Sequence, residues 1–590
     1  MDDQNKQADN AEAGMESYFF RASAADFRKI PGSPVAYWVS DAVSNAFRDF
    51  PRFDEVAPTR KGMVTARNEI YVRDWHEVSL DKSGLDIFKD RHSAQESGKK
   101  WFSYLKGGGY RKWYGNKFDV VNWEDDGFLL QTKKHPSEDR VWATNFNLEF
   151  VFNENINWGA VSSLDFSARI SEGGELFDAG GSACFPVKVN PKTVLGFLNA
   201  KVSRVMLRAL NPTLNFQAGN IANLPFLVSV DTDRTRNLVD GLISAFKVDW
   251  NSYETSWDFT SLPLLHSDYQ QKTLQSTYQN LRAFWSDTTL EMQRFEEENN
   301  DIFIEAYCLQ DELNPEVPLK EITLTCNPYN RYGGDKADEE LEALLQADTM
   351  REFLSYAVGC MFGRYSLDKP GLLLANLGET LVDYLRQVPE PRFMPDEDNV
   401  IPLLDGEWFA DDVTERFRQF LRMTFGEQHY EENLTFIEAA LGKDIRKYFL
   451  KDFYVDHVKR YRKRPIYWLF ASPKGTFNAL IYVHRYRADT VSVVLQYLRD
   501  FRKKLAARLG YLQQVSISTS ASQGDKARAL KEIETLKKQL LELDDYERDT
   551  LYPLATEQVP LDLDDGVKVN YLKLGPALKK IVGLDAKGED

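Results

Sequence analysis

The chain reads as an α+β protein: a mixed, β-rich domain first, then a long helical spacer, then a helical C-terminal domain with a coiled-coil hairpin. Three patterns carry that reading. Between Val141 and Phe185, short apolar runs alternate with polar residues at a period of two and break at Gly and Asn, as in a twisted sheet. From Leu274, the residues Tyr278, Leu281, Trp285, Met292, Phe295, Ile302, Ala306 and Leu309 keep a four-three rhythm that places them on one helical seam. From Thr490, a seam of Val494, Leu498, Phe501, Leu505 and Leu512 is followed by a Ser-rich turn at 516–524. A second seam of Ala529, Ile533, Leu536, Leu540 and Leu543 then predicts two antiparallel helices around a flexible tip.

Composition narrows the class. At 590 residues, with 43% hydrophobic and 13% aromatic side chains, the chain can bury the cores of roughly three or four domains. Cys184, Cys308, Cys326 and Cys360 lie far apart without a C-x-x-C pair, so neither a zinc site nor a disulfide framework is expected, and a reducing, cytoplasmic compartment fits. No run of 18 apolar residues suggests a membrane span, and residues 1–17 are polar and acidic, as in a flexible tail. A net charge of −17 argues against coating nucleic acid with the whole surface. Any such binding needs local basic islands.

Ile30-Pro31-Gly32-Ser33-Pro34 is a loop. The turn from Lys61 to Asn68 offers backbone N–H groups with Lys61 and Arg67 for phosphates, or is simply a solvated basic turn. Lys99 to Lys117 holds six Lys/Arg, six aromatics and no acid around Gly107-Gly108-Gly109. Its cations would neutralise phosphates, its glycines allow close backbone approach, and Trp113 and Tyr114 could stack on a base. Aromatics packed into a core are the competing reading.

Asn190 and Pro191 open a helix over Val194–Leu210, with Thr193 as a possible N-cap. Its face of Leu195, Leu198, Val202, Met206 and Ala209 packs on the sheet, Lys201, Arg204 and Arg208 lie on the other flank, and Pro212 stops it. The loop that follows, with Asn215, Gln217 and Asn220, is rich in amides. Amides suit base edges, adenine above all, and equally suit loop capping.

Beyond the spacer, Glu296-Glu297-Glu298 reads as its solvated face, and Glu321–Cys326 as a strand ending in the turn Asn327-Pro328-Tyr329-Asn330. Residues 335–453 are helical and acidic, with amphipathic runs at Glu339–Cys360 and Asp411–Met423. Pro395-Asp396-Glu397-Asp398 reads as a solvated loop rather than a metal site. His457 and His484 are isolated, as core or surface histidines are. The second basic island, Lys443–Arg464, holds nine Lys/Arg against three Asp and leads into strands Ile466–Phe470 and Ala479–His484. Arg460, Arg462, Lys463 and Arg464 could rim the far side of a duplex or face a partner protein. Leu551-Tyr552-Pro553 ends the hairpin, and Asp564–Ile581 is a small strand-plus-helix closure.

Several blocks together resemble the PglX-type adenine-specific DNA methyltransferases of BREX phage-defence systems. They are Ile30–Ser40, Lys112–Gly127, the stretch LNPTLNFQAGNIANLP within Val189–Leu227, Glu296–Leu319, Tyr356–Leu372 and Lys459–Gly475. The resemblance runs from about Tyr18 to the C-terminus and matches that family's target-recognition half. Lys61–Asn68 resembles its Gly-x-x-Thr-Gly-x-Asn turn, with Ala66 where the pattern has Gly, which puts a close backbone approach there in doubt. Members carry their S-adenosylmethionine loop and NPPY motif ahead of the matched region. Here no F-x-G-x-G follows a strand, and Asn330 replaces the aromatic that stacks on a flipped adenine.

The changes of period near 267 and 490, taken with the resemblance, divide the chain into a recognition domain at 18–266, a spacer at 267–320, a C-terminal domain at 321–489, the hairpin at 490–550 and a closure at 551–590. The resemblance implies no catalytic residue, metal or cofactor in this chain. Double-stranded DNA, a catalytic half in the same or a separate chain that binds S-adenosylmethionine, and other BREX proteins are the expected partners. The candidate DNA contacts are Lys61, Arg67, Asn68, Lys99, Lys100, Lys106, Arg111, Lys112, Trp113, Tyr114, Asn116, Lys117, Asn215, Gln217, Asn220, Arg460, Arg462, Lys463 and Arg464. The alternative is a non-catalytic module that docks other defence proteins.

Overall fold

The computed structural model describes residues 29–32, 38–162 and 164–584. The expected tail at 1–17 and Ser33-Pro34 of the first loop lie outside the described residues. The chain is mixed α/β and mainly helical, with three small sheets among the described residues. The leading region is therefore less β-rich than its sequence suggests, since its strands run for two to five residues.

Strands β1 (Thr59–Arg60), β2 (Val72–Asp74), β3 (Ser83–Gly84), β4 (Trp101–Leu105), β5 (Asp119–Asn122), β6 (Asn155–Trp158), β7 (Ala168–Ser171), β8 (Leu176–Phe177) and β9 (Ala183–Cys184) build two sheets. One has the order β1-β9-β6-β7, antiparallel throughout; the other runs β2-β5-β4-β3, with β8 also paired to β4. Parallel neighbours need a crossover, and the helix Arg91–Glu96 supplies it between β3 and β4. Gly107 and Gly181 let the sheets meet: a Cβ on Gly107 would lie 2.7 Å from Gly159 Cα, and one on Gly181 2.3 Å from the Leu105 carbonyl oxygen. The third sheet, β10 (Ile401–Pro402), β11 (Tyr467–Ala471) and β12 (Asn478–Tyr482), has β12 in the middle.

The single helix expected over Val194–Leu210 is two, α1 (Pro191–Asn199) and α2 (Lys201–Leu210), separated at Ala200, whose ψ of 154° is extended. The apolar face is nonetheless continuous, because Leu195, Leu198, Val202, Met206 and Ala209 are all buried. The break strands backbone groups, and side chains satisfy them. Lys201 N–H donates to Asn300 Oδ1 at 2.9 Å, and the Ser203 hydroxyl donates to the Ala200 carbonyl at 2.8 Å. Asn190, not Thr193, is the N-cap, accepting from Lys192 N–H; the Thr193 hydroxyl instead donates to Asp231. Helix α3 (Ala218–Ala222) sits in the amide loop, and α4 (Asp233–Asn251) packs on α1.

Helix α5 (Leu274–Ala306) has 33 residues, a length of about 50 Å at ~1.5 Å per residue. It lies against α4 and α2 rather than standing free. Its expected solvated face is corrected at Glu296, which is buried. No strand forms over Glu321–Cys326; Asn327 caps the short helix α6 (Pro328–Tyr332), accepting from Tyr329 N–H and donating to the Leu319 and Ile322 carbonyls. Within the acidic stretch Asp396 is buried, with its backbone N–H on the Met361 carbonyl at 2.7 Å, while Glu397 and Asp398 are exposed, so among its acids the expected solvated loop is corrected at Asp396 alone. His457 and His484 are core residues.

Helices α7 (Thr490–Ile517) and α8 (Gln523–Tyr546) lie side by side and run in opposite directions, as the pairs Arg508–Glu532 and Arg502–Asp544 require. Helix α9 (Gly566–Lys573) returns to the first half of the chain. One apolar cluster extends from Val43 to Leu584 through the expected boundaries at 266/267, 320/321 and 489/490. Among the described residues, no helix is long and apolar enough to cross a membrane.

Candidate nucleic-acid interface

The first basic island is mostly interior. Strand β4 takes Trp101 to Leu105 into the sheet, and the loop after it turns inward. The Arg111 guanidinium pairs with Asp249 at 2.9 Å and donates to the Tyr114 and Thr323 carbonyls and the Thr325 hydroxyl. Lys112 is paired with Glu296, whose other oxygen accepts from Trp113 Nε1 at 2.8 Å. Lys117 bridges Asp86 and Glu175, each at 2.7 Å.

These bonds correct the expectation for Arg111, Lys112, Trp113, Tyr114 and Lys117. All five are buried, the side-chain donors of Arg111, Lys112, Trp113 and Lys117 face protein acceptors, and none of the five presents a cation or ring to a duplex. Electrostatics follow burial. Desolvation opposes the Lys117 ammonium, yet Glu175 and Asp86 outweigh it and hold its pKa well above the ordinary value. For Lys112 desolvation wins over Glu296, and the pKa is lowered. Arg169, buried beneath the loop, donates only to the Arg111 and Gly107 carbonyls, and desolvation with Arg111 beside it brings its pKa down to about 10.

What remains exposed forms two groups. In the first, Asn116 bonds the Gly107 and Gly109 carbonyls and fixes the glycine turn, which contacts Gly159. Two residues on, Val161 bridges to Asn215, and the amide loop in turn meets β1, where the Thr59 hydroxyl donates to the Ala218 carbonyl. Lys61 follows β1 directly. The glycine turn, the amide loop and the Lys61 turn, which lie as much as 159 positions apart in sequence, are thus linked through these contacts.

The amides there bond mainly to each other. Asn220 Oδ1 accepts from Gln217 N–H, Gln217 Nε2 donates to Asn215 Oδ1, and Asn211 Nδ2 donates to the Asn215 carbonyl. Asn215 and Gln217 stay exposed. Thr65 donates to Asn68, and Arg67 sits 5.2 Å over the Trp142 ring. That contact brings in Lys133, Lys134 and Arg140, all exposed, which sequence reasoning missed because Glu138 and Asp139 interrupt the charge run.

The second group surrounds Asp119. Arg462 pairs with Asp74 at 2.7 Å and lies 4.9 Å over the Phe118 ring, while Lys463 is exposed beside it. Burial raises the Asp119 pKa against the pull of Arg462 and Lys106, so both basic islands act on one carboxylate. Arg464 approaches Glu77. Lys99 donates to the Asp81 carbonyl and Lys100 to Asp564, at the edge of this group. Arg460 turns inward to Glu254 at 2.9 Å and is mostly covered, so its expected role as a contact is also corrected. Among the described residues, no cluster of three His, Cys, Asp or Glu side chains is arranged to hold a metal.

No family model matches the chain. Two curated proteins do. The adenine-specific methyltransferase PglX of Lacticaseibacillus casei (strain Zhang) is 37% identical over 577 residues, covering 94% of this chain and 45% of PglX. The adenine-specific methyltransferase BrxX of Escherichia coli O9:H4 (strain HS) is 34% identical over an alignment of 602 residues, covering 98% of this chain and 48% of BrxX. The chain is homologous along nearly its whole length to adenine-specific methyltransferases and spans about half the length of the curated relatives it matches.

Proposed function

We propose that this chain is the target-recognition half of a BREX-type, adenine-specific DNA methyltransferase of phage defence. It binds duplex DNA in the cytoplasm and presents the target adenine to a catalytic half that binds S-adenosylmethionine, in the same or a separate chain. The observation that carries the proposal is 37% identity spread over 94% of the chain but only 45% of PglX. The contacts are the exposed remainder of the sequence-derived set: Lys61, Arg67, Asn68, Asn116, Asn215, Gln217 and Asn220 on one face, and Lys106, Arg462, Lys463 and Arg464 with Lys99 and Lys100 on the other. Cations hold the phosphates and amides read base edges.

A mobility-shift titration tests this. Four phosphate contacts give about a 150-fold loss of affinity between 50 and 200 mM salt, from a slope of roughly −0.9 per contact. Changing Lys61, Arg67, Lys106 and Lys463 to Glu removes most of that affinity and leaves the circular dichroism spectrum unchanged. Methyl transfer by the chain alone would overturn the division between halves.

A second reading, a module that docks other BREX proteins, draws on exposed apolar residues of α7 and α8: Ile517 is 81% exposed and Leu541 64%. A stable complex with a sister protein and no shift on any duplex at low salt would favour it.

A further inference from the structure

Between the recognition sheet and the C-terminal helices lies a cavity of about 250 Å³, one wall of which, Phe118, carries Arg462 over its ring. Its walls are largely rings, from Phe118, Trp250, Tyr253, Phe259 and Tyr356. Phe118 and Trp250 meet edge to face at 5.0 Å, and Phe259 and Tyr356 do so at 6.0 Å, so flat faces are fixed by their own packing. Ser252, Tyr253 and Arg331 are partly exposed, which opens the cavity to solvent.

Its charges cancel in place. Glu254 accepts from Arg460 at 2.9 Å, and Glu352 from Arg331 at 2.9 Å, leaving nothing to draw in a free ion. Two polar atoms have no protein partner. Glu254 is 7% exposed, and its Oε1 serves both Ser355 and Arg460, while Oε2 is unpaired. The neighbouring Tyr253 hydroxyl is unpaired as well. An unpaired buried polar atom calls for an explanation, and here two of them stand side by side at a cavity. Both atoms are covered by their neighbours, so a ligand engages them by a turn of the side chain.

We infer that this cavity binds a neutral, planar heteroaromatic ring bearing N–H donors, the chemistry of a nucleobase, stacked on the aromatic walls with its edge at Glu254 and Tyr253. A small volume, flat apolar faces, balanced charge and an unpaired acceptor beside an unpaired hydroxyl suit a base without its phosphate. The inference stands on the cavity and not on the duplex reading above. The base comes either from a free nucleoside or from a nucleotide turned out of a strand.

Two titrations on the full chain separate these sources. The first follows adenosine, guanosine, cytidine and thymidine by saturation-transfer NMR. The second follows the fluorescence of duplexes carrying 2-aminopurine. Tyr253→Phe deletes a hydroxyl that bonds to nothing in the protein, so folding is preserved, and Phe118→Ala deletes one wall. Loss of a stacking ring weakens binding by about 5- to 150-fold, and loss of the hydroxyl by a smaller factor. Nucleoside binding weakened by both variants supports a free ligand. Fluorescence enhancement in the duplex that both variants abolish, without nucleoside binding, supports a strand-borne base. Absence of both signals, or binding that both variants leave unchanged, overturns the inference, and a mobility shift measured in parallel keeps that failure distinct from failure of duplex binding.

Discussion

Ala66 carries a φ of +61°, in the left-handed region that costs an L-residue with a Cβ roughly 1–2 kcal/mol. A glycine at this place, as in the resembling pattern, would meet that φ without the Cβ cost. Ala66→Gly is expected to raise unfolding stability by roughly 1 kcal/mol, read from the urea midpoint. Titratable residues act in two opposed sets. Burial first, and neighbouring positive charge second, hold His76 and His457 well below the ordinary histidine value and His484 at about 3. Those three are neutral when folded and take up protons when unfolded, so stability falls as pH drops below about 6.5, by about 2 kcal/mol per histidine at pH 5. Burial, with a neighbouring carboxylate, raises Asp74 to about 8 and Asp396 to about 7. These keep a proton that the unfolded chain gives up, so their share of stability is lost as pH rises toward 8. Urea midpoints measured from pH 5 to 9 should peak between 6 and 7; a midpoint that climbs steadily to pH 9 refutes the assignment.

Elements whose signal is local were legible, and those set by distant partners were not. The seams of α5, α7 and α8 appear in the sequence because burial repeats with the helical turn: Leu281, Trp285, Val494, Leu498 and Ile533 are all buried. The glycine-rich loop after β4 was legible as basic and aromatic, but not as interior. Its partners, Asp249 and Glu296, stand 138 and 184 positions away, and nothing in the loop names them. The break at Ala200 was hidden for the same reason, since Asn300 on α5 satisfies it. The loop and α5 are therefore joined through one buried ion pair. Lys112→Met leaves the Glu296 charge uncompensated and is expected to cost about 3–5 kcal/mol, whereas changing Lys112 and Glu296 together to apolar residues should recover most of that. Equal losses in the single and double variants, by thermal or urea unfolding, would show that the pair is not coupled. Charge reversal at Arg111 or Lys112 consequently reports on folding, and only the exposed cations test duplex binding.

Across the whole molecule, one large apolar cluster runs through the expected segments, beside smaller clusters centred in the first. Leu551, Leu563, Val567 and Tyr571 belong to the same cluster as Trp158 and Phe197. Polar stitches follow the same route. Asp564 accepts from Lys82 and Lys100 at 2.9 Å each and from Trp101 Nε1 at 2.9 Å, and Glu77 accepts from Val567 N–H at 2.8 Å. A chain ended at residue 489 should accordingly lack a cooperative thermal transition; a sharp melt with native-like ellipticity would contradict the shared core. The periodic boundaries near 267 and 490 were real changes of pattern in the sequence. Whether a pattern change also divides a core depends on long-range contacts, which periodicity does not record.

The place of Asp564 has a consequence for how the protein is made. Lys82, Lys100 and the Trp101 indole emerge from the ribosome more than 460 residues before their shared carboxylate. During translation the five-stranded sheet therefore presents two cations and an indole to water until Asp564 arrives to gather them.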